Sequence, residues 1–286
     1  MLINVMIASL ASWVLLIERP DMIRSPLMTV MVDAVMKAAK GLRRDFGEVE
    51  NLQVSRKGPG DFVSQADVKA EAALHDSLLK ARPDFGFVME EGGVIEGKDA
   101  SHRWHIDPLD GTLNFLHGMP HFSVSLGLER EGQIVAGVVY DPIKDELFIA
   151  EKGKGAFLNN RRLRVSGRTD LMECMIGTGI PSSSKRDLPT YMKEMAHVTA
   201  RTAGVRRLGS AALDLSYVAA GRLDGFWETG LSSWDIAAGI ILVREAGGFV
   251  SDGAGGDFKV GGNSVLVANT SVHGQLVQAL KDARAS

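Results

Sequence analysis

The apolar pattern of the chain changes near Ser166, and this change limits the folds that the sequence can adopt. Before Ser166, short runs rich in β-forming residues follow one another with only Gly, Pro and Asp turn signals between them, at residues 85–89, 103–106, 122–129, 134–140 and 146–150. Strands joined without helices between them are typical of an antiparallel sheet. The region before Ser166 is therefore predicted to contain an antiparallel or mixed sheet.

Helical patterns lie on both sides of these strands. The sequence predicts two early helices, at 29–46 and from a capping-box-like Ser64–Asp67 segment to about Arg82. After Ser166, helical patterns at 188–199, 211–220, 233–246 and 272–283 alternate with short apolar strands such as 223–227 and 264–268. We predict an α+β chain with an N-terminal sub-domain over 29–165 and a C-terminal α/β sub-domain over 166–286.

Residues 1–28 are predicted to be an extension that is not native. Residues 1–17 carry no charged side chain, and a secretory signal would need a basic segment before the apolar run. About 17 residues is also the lower limit for crossing a bilayer. A misplaced start, with Met22 or Met28 as the true one, is favoured over a packed or disordered appendage and over a membrane anchor. We expect no membrane association.

Composition narrows the classes of partner. With 32 Lys and Arg against 35 Asp and Glu, the net charge is -3, which gives no general attraction to nucleic acid or anionic membranes. The chain has one cysteine, Cys174, so it can form no intrachain disulfide and no thiolate metal cluster. This fits a reducing compartment, and we predict a cytoplasmic protein.

The segment D-P-L-D-G-T places Asp107 and Asp110 on a turn just after a predicted strand. Two carboxylates that converge there repel each other unless a cation lies between them. Hard oxygen ligands of this kind select Mg²⁺, Ca²⁺ or Mn²⁺. The alternative is an Asx-turn in a solvated loop, and this segment alone does not decide between the two.

Further acidic residues occur where ligands often lie. Glu90 and Glu91 follow the predicted strand 85–89, and Asp235 opens a predicted helix. Asp61 and Asp67 flank another helix start. For Asp235 and Asp67, helix N-capping is an equally physical explanation.

With these segments, the sequence resembles the inositol monophosphatase family of Mg²⁺-dependent, lithium-sensitive phosphatases, from about residue 29 onward. The family pattern D-P-[LI]-D-G-T-x-N-F is matched at 107–115 and W-D-x-A-A-G at 234–239. I-G-E-E is matched at 88–91 with Met89 in place of glycine, and the D-x-V-T-x-x-D-like segment reads DFVSQAD, with Ser64 in place of threonine. The resemblance implies a layered αβαβα sugar-phosphatase fold.

The resemblance also implies roles for individual residues. About two or three Mg²⁺ ions would be held by Glu90, Asp107, the carbonyl oxygen of Leu109, Asp110 and Asp235. Thr112, paired with Asp67, would orient or deprotonate the attacking water, and Glu91 would support the metal site without ligating it. Substrate would contact the backbone of Gly111 and Thr112, together with Gly209, Ser210, Ala211, Glu228 and Asp235.

The activity that the resemblance implies is hydrolysis of a small phosphomonoester of a sugar or polyol, most of all inositol 1-phosphate, by water that the metal activates. Histidinol phosphate, fructose 1,6-bisphosphate and a 3'-phosphonucleotide are alternative substrates. A homodimer is also implied. The segment from Arg206 to Leu215 resembles the bacterial SuhB-type branch of the family, which is implicated in transcription-related complexes. The alternative to an enzyme is therefore a regulatory binding protein whose partner belongs to the transcription machinery.

Overall fold

The structure is a computed structural model that describes residues 24–48, 54–58, 61–180 and 187–286, without the side chains of 54–58 and 61–63. Most of the predicted extension, residues 1–23, and the side chain of Asp61 therefore lie outside the described residues. In the described ranges, no helix has the length and apolar character that a bilayer crossing requires.

Seven helices occur in the described ranges: α1 (Pro26–Phe46), α2 (Gln65–Ala81), α3 (Thr112–Leu116), α4 (Leu188–Thr199), α5 (Ala211–Ala219), α6 (Ser233–Glu245) and α7 (Thr270–Ala285). α1 begins three residues before the predicted Thr29, because the side chain of Ser25 caps it by accepting from the N–H of Met28. Proline at the first helical position favours this start.

The first large sheet is mixed. Its eight strands lie in the order β10-β9-β8-β7-β6-β5-β3-β4. Their bounds are β3 (Phe85–Met89), β4 (Gly93–Ile95), β5 (Asp99–Asp110), β6 (Ser123–Arg130), β7 (Gln133–Asp141), β8 (Glu146–Glu151), β9 (Gly155–Leu158) and β10 (Arg161–Arg162). β3 and β5 are parallel while the other neighbours are antiparallel. Of the two predicted kinds of sheet, antiparallel or mixed, the mixed one is confirmed. The parallel pair arises because the chain turns back through the short edge strand β4 before it forms β5 on the other side of β3.

The second large sheet belongs to the C-terminal part. Its order is β12-β11-β13-β15-β14, with bounds β11 (Met175–Thr178), β12 (Gly204–Arg206), β13 (Gly225–Thr229), β14 (Phe249–Ser251) and β15 (Ser264–Ala268). β11 is parallel to β12 and β13, and β15 is antiparallel to both its neighbours. A separate hairpin pairs β1 (Val54–Gly58) with β2 (Asp61–Ser64).

Three apolar cores fill the spaces between five layers. One lies between α1–α2 and the first sheet, a second surrounds α5–α6 between the two sheets, and a third lies between the second sheet and α4–α7. Every residue of α6 from Ile236 to Val243 is buried, as expected of a helix covered on both sides. The predicted αβαβα layering is confirmed.

The proposed boundary near Ser166 falls between the last strand of the first sheet and the first strand of the second. α5 and α6 follow this boundary in sequence, yet α6 packs on β6, β7 and β8 of the first sheet. The middle helix layer therefore joins the two parts into one body.

Candidate active site

The turn that follows Ile106 begins inside β5 rather than after it. β5 continues to Asp110, and its pairing with β6 becomes irregular between Asp107 and Asp110. The N–H of Leu109 donates to Asp107 Oδ1 at 3.0 Å, which is an Asx-turn. Asp107 is only 2% exposed, however, so the solvated loop considered from sequence is excluded. The irregularity keeps both carboxylates buried at the strand end.

Gly111 reverses the chain after this strand. Its φ of 96° lies in the left-handed region, and a Cβ there would come within 3.2 Å of the carbonyl oxygens of Gly209 and His121. α3 starts at the next residue. The backbone of Gly111 thus lies beside Gly209, which was also predicted to contact substrate.

Thr112 lies beside Asp67, which comes from α2. The Thr112 hydroxyl lies 3.2 Å from Asp67 Oδ1 and 3.0 Å from the carbonyl oxygen of Leu109. Asp67 is fully buried, and its other oxygen accepts from the N–H and the hydroxyl of Ser64. Burial raises the pKa of Asp67, while the bonds from Ser64 and Thr112 oppose that rise. Asp67 therefore has both of the roles that the sequence left open, as a helix cap and as the partner of Thr112.

Glu90 and Glu91 follow β3, whose carboxyl end lies beside that of β5 because the two strands are parallel. The N–H of Glu90 donates to the carbonyl oxygen of Ile106 at 3.3 Å, directly before Asp107. The N–H of Glu91 donates to Glu71 of α2 at 2.8 Å. Parallel pairing therefore brings two distant acidic segments to one sheet edge.

Asp110 lies against the amino end of α5. It accepts a short hydrogen bond from the Ser210 hydroxyl and bonds from the N–H groups of Ala211 and Ala212, at 3.2 and 2.8 Å. These donors favour the charged form, but burial dominates and raises the pKa of Asp110 to about 6. Ser210 and Ala211, predicted as substrate contacts, are thus in direct contact with a predicted metal ligand.

Asp235 reaches the same region from the first turn of α6. Its carboxylate accepts from the N–H of Ser232 at 2.6 Å, so it caps its own helix, as the alternative explanation required. Burial raises the pKa of Asp107 well above its usual range, and the charges of Glu90, Asp110 and Asp235 raise it further. Four predicted metal ligands therefore act electrostatically on one another.

The chemistry of these donors fits a divalent cation. Carboxylates that raise one another's pKa repel each other when charged, and a cation between them would remove this repulsion. Carboxylate oxygens are the ligands that Mg²⁺ prefers. As the side chains are placed, no three His, Cys, Asp or Glu residues of the described ranges form a ready-made metal site.

Glu228 lies on β13, on the C-terminal side of the site. Burial raises its pKa to about 8, with further contributions from the charges of Asp235 and Asp110, while Arg207 opposes the rise. The 209–211 segment and Glu228, both predicted to contact substrate, therefore lie near the predicted metal ligands Asp110 and Asp235.

Asp214 was missed by sequence reasoning. It is 1% exposed in α5, and its Oδ1 has no hydrogen-bond partner among the described residues. Burial raises its pKa well above its usual range, helped by the charges of Asp110 and Glu228. An aspartate within the apolar 211–220 pattern was the signal available in the sequence.

Comparison with known proteins agrees with this geometry. The model of the inositol monophosphatase family matches residues 23–285. The inositol-1-monophosphatase of Mesorhizobium japonicum is 60% identical over 260 residues, covering 91% of this chain and 98% of that protein. The Nus factor SuhB of Escherichia coli K12 is 43% identical over 258 residues, covering 90% of this chain and 96% of that protein.

A solved structure also matches the fold. The crystal structure of the extragenic suppressor protein suhB from Bartonella henselae superposes with a TM-score of 0.86 at 56% sequence identity, covering 90% of this chain and 99% of that one. The match in sequence extends over nearly all of the chain, and the solved fold is shared. The chain therefore belongs to the inositol monophosphatase family.

Proposed function

We propose that this phosphomonoesterase is a Mg²⁺-dependent inositol-1-monophosphatase, which converts inositol 1-phosphate and water to inositol and phosphate. The observation that carries the proposal is the group of carboxylates at the shared end of β3 and β5, where Asp107 and Asp110 are buried and Glu90 is half-buried, with the half-buried Asp235 added from α6. The 60% identity to an inositol-1-monophosphatase supports the choice of substrate.

The turn at Gly111 and Thr112 is proposed to bind the phosphate through its backbone N–H groups. Thr112 and Asp67 are proposed to orient the attacking water. Their hydroxyl and carboxylate lie 3.2 Å apart, and Asp67 is fixed by Ser64, so this pair has one orientation. Glu91 is proposed to support the site through its backbone bond to Glu71.

Glu90, Asp107, the carbonyl oxygen of Leu109, Asp110 and Asp235 are proposed to hold about two or three Mg²⁺ ions. Bound Mg²⁺ would neutralise phosphate charge and supply a water of lowered pKa, the two things that monoester hydrolysis needs most. The carbonyl oxygen of Leu109 accepts a hydrogen bond from the Thr112 hydroxyl. Thr112 and Asp67, which we propose orient the water, therefore lie beside a proposed metal ligand.

Gly209, Ser210, Ala211, Glu228 and Asp235 are proposed to surround the polyol. A carboxyl group can bond to neighbouring hydroxyls of many polyols, so histidinol phosphate, fructose 1,6-bisphosphate and 3'-phosphonucleotides remain the alternative substrates. The experiment is phosphate release from these four classes with Mg²⁺, with EDTA and with added Li⁺. Metal-dependent preference for inositol 1-phosphate supports the proposal, and preference for another class overturns its substrate.

Asp110→Asn tests the site. The amide oxygen can still accept from Ser210, so the fold should persist, whereas Mg²⁺-dependent turnover should fall by at least about 100-fold, as on loss of an essential charge-stabilising group. The matched control is Asp252→Asn, because Asp252 also accepts backbone N–H groups but lies in a loop after β14. An active, folded Asp110→Asn would contradict the assignment.

A transcription-related binding role is the second candidate, favoured by the 43% identity to the E. coli Nus factor SuhB. The test is recovery of RNA polymerase components by the tagged protein. Recovery undiminished in Asp110→Asn would support a role separate from hydrolysis, and no recovery would remove this candidate.

We also propose a cytoplasmic homodimer. The single cysteine, Cys174, is buried and fits a reducing compartment. Sedimentation velocity across a concentration series checks the subunit count, and a monomer at all concentrations would contradict it.

A further inference from the structure

A chain of three polar side chains links the first sheet to the start of α6. His105 of β5 is 2% exposed, and its ring lies between two partners. Its Nδ1 is 2.9 Å from the Ser233 hydroxyl, and its Nε2 is 2.7 Å from Glu129 Oε2 on β6. Since both ring nitrogens are bonded, the ring has one orientation.

The position of this chain in the sequence connects it to the metal-binding residues. His105 precedes Asp107 by two residues in a regularly paired stretch of β5, so both side chains lie on the same face of the sheet. Ser233 precedes Asp235 by two residues in the first turn of α6. The bond between His105 and Ser233 therefore runs beside the electrostatic contact between Asp107 and Asp235.

α6 approaches the sheet closely at this point. Gly127 is paired with His105 across β5 and β6, and a Cβ on Gly127 would lie 2.6 Å from the Cβ of Ala237. The Ser125 hydroxyl is also 3.4 Å from the carbonyl oxygen of Trp234. The start of α6 thus rests on the face of the sheet that carries His105 and Asp107.

Repulsion acts against this arrangement. Asp235 raises the pKa of Asp107, so the two carboxylates disfavour each other's charge when no cation is between them. Asp107 belongs to the sheet, whereas Asp235 belongs to the half-buried first turn of α6, which this repulsion pushes away from the sheet. A hydrogen bond from the sheet to the residue two positions before Asp235 resists that movement.

We propose that His105 is a positioning residue that holds Ser233, and through it Asp235, at the carboxyl end of β5 in the geometry needed for metal binding. Glu129 fixes the far side of the ring. This inference rests on the proposed function, because it takes Asp107 and Asp235 to be metal ligands.

The test measures Mn²⁺ binding directly, by electron paramagnetic resonance, together with Tm in EDTA and kcat across Mg²⁺ concentrations. His105→Leu removes both bonds. Loss of a group that orients a metal ligand weakens metal binding by roughly 10- to 100-fold, and that loss is expected here. Because saturating Mg²⁺ draws Asp235 back, kcat should recover to within about fivefold of the parent, as expected of a mainly metal-affinity defect.

His105→Asn is the conservative variant, because its amide can occupy the place of Nδ1 and keep the bond to Ser233. It should restore most of the Mn²⁺ affinity. The matched control is His273→Leu, since His273 is another buried histidine whose Nε2 is 2.9 Å from a serine hydroxyl, that of Ser251, in the C-terminal part. This control should lower Tm without changing Mn²⁺ affinity.

Three results would overturn the inference. His105→Leu could lower Tm as His273→Leu does and leave Mn²⁺ affinity unchanged, which is a purely structural role. If His105→Leu does not fold, unchanged Mn²⁺ affinity in Ser233→Ala has the same meaning. Absence of Mn²⁺ binding by the unsubstituted protein would instead overturn the proposed metal site, and this inference with it.

Discussion

At the scale of single residues, the carboxylates of the site differ in what holds them. Asp110 is surrounded by donors at the amino end of α5, whereas burial and other carboxylates dominate the environment of Glu228. The pKa of Glu228, raised to about 8, keeps it largely protonated at neutral pH in the absence of metal. A neutral carboxyl both donates and accepts, which suits it to adjacent hydroxyls of a polyol.

Glu228→Ala should therefore impair ring recognition. Loss of one hydrogen bond worth about 0.5–1.5 kcal/mol predicts a KM for inositol 1-phosphate raised roughly two- to twelvefold. A featureless aryl phosphate lacks the hydroxyls, so its KM should stay nearly constant. Steady-state kinetics on both substrates make the measurement, with Glu228→Gln as the conservative control. Equal effects on the two substrates would remove Glu228 from polyol recognition.

At the scale of elements, the site is assembled by helix starts and strand ends. α2 begins with a capping box in which Ser64 and Asp67 satisfy each other's backbone and side-chain groups. The same Asp67 accepts from Thr112, so the cap of α2 is joined to the first residue of α3.

Ser64→Ala should weaken both the cap of α2 and the contact between Asp67 and Thr112. Loss of an N-cap hydroxyl costs about 0.5–2 kcal/mol of unfolding free energy, and Asp67 loses the donor that fixes it. Urea denaturation should register the first effect and a fall in kcat the second. Ser64→Thr keeps the hydroxyl and should resemble the parent in both measurements. A drop in stability with unchanged kcat would show that Thr112 does not depend on this cap.

Because α6 packs closely on the first sheet, replacing glycine by alanine should have opposite effects on stability at Gly127 and at Gly41. Gly127→Ala forces a methyl group against Ala237, and overpacking of this kind costs about 1–3 kcal/mol. Gly41 lies within α1 with nothing within 4 Å of an added Cβ. Gly41→Ala should instead stabilise by about 0.5–1 kcal/mol through helix propensity. Opposite shifts in Tm are expected, and a neutral Gly127→Ala would mean that α6 readily moves away from the sheet.

At the scale of the whole molecule, the raised carboxyl pKa values make stability depend on pH and metal. Glu228, with a pKa of about 8, and Asp110, with a pKa of about 6, hold their protons in the folded state at pH values where the unfolded chain has released them. The folded state then binds more protons at these two groups, so their contribution to its stability falls as pH rises from about 4 to about 8. Mg²⁺ favours the charged carboxylates and should reverse this trend.

Thermal melts from pH 4 to 9, in EDTA and in Mg²⁺, compare the pH dependence of Tm without and with metal. In EDTA, Tm should fall with rising pH, by about 2–4 °C for each kcal/mol lost in domains of 150–250 residues. Glu228→Gln should reduce the fall between pH 6 and 8. A Tm in EDTA that does not depend on pH would contradict the protonated state of these groups.

Much of this architecture could be predicted from sequence, because local patterns fixed the elements. β3, α4 and β15 occur at their predicted bounds, 85–89, 188–199 and 264–268. The run 103–106 was too short as a prediction of β5, because Pro108 and Gly111 read as a break whereas the strand absorbs an irregularity and continues to Asp110. Short edge strands such as β4, β10 and β12 carry too few residues for a periodic signal.

The candidate site was less accessible to local reasoning. The segments around Asp107 and Asp235 could be predicted as parts of the site from their acidic residues and from the family resemblance. The link from His105 to Ser233 spans 128 residues, and no local pattern predicts it. Asp214 looked like one polar residue in an apolar helix, and only the packing of α5 places it among other carboxylates.

The middle helix layer has a consequence for the synthesis of the protein. Asp107 and Asp110 leave the ribosome well before α5 and α6, yet the bonds to Asp110 come from residues about 100 positions later and Asp235 follows later still. A growing chain that has completed only the first sheet therefore carries half a site. With the proposed ligands, we expect hydrolysis to begin only after α6 has emerged and packed on the first sheet, so catalytic competence would report that this packing is complete.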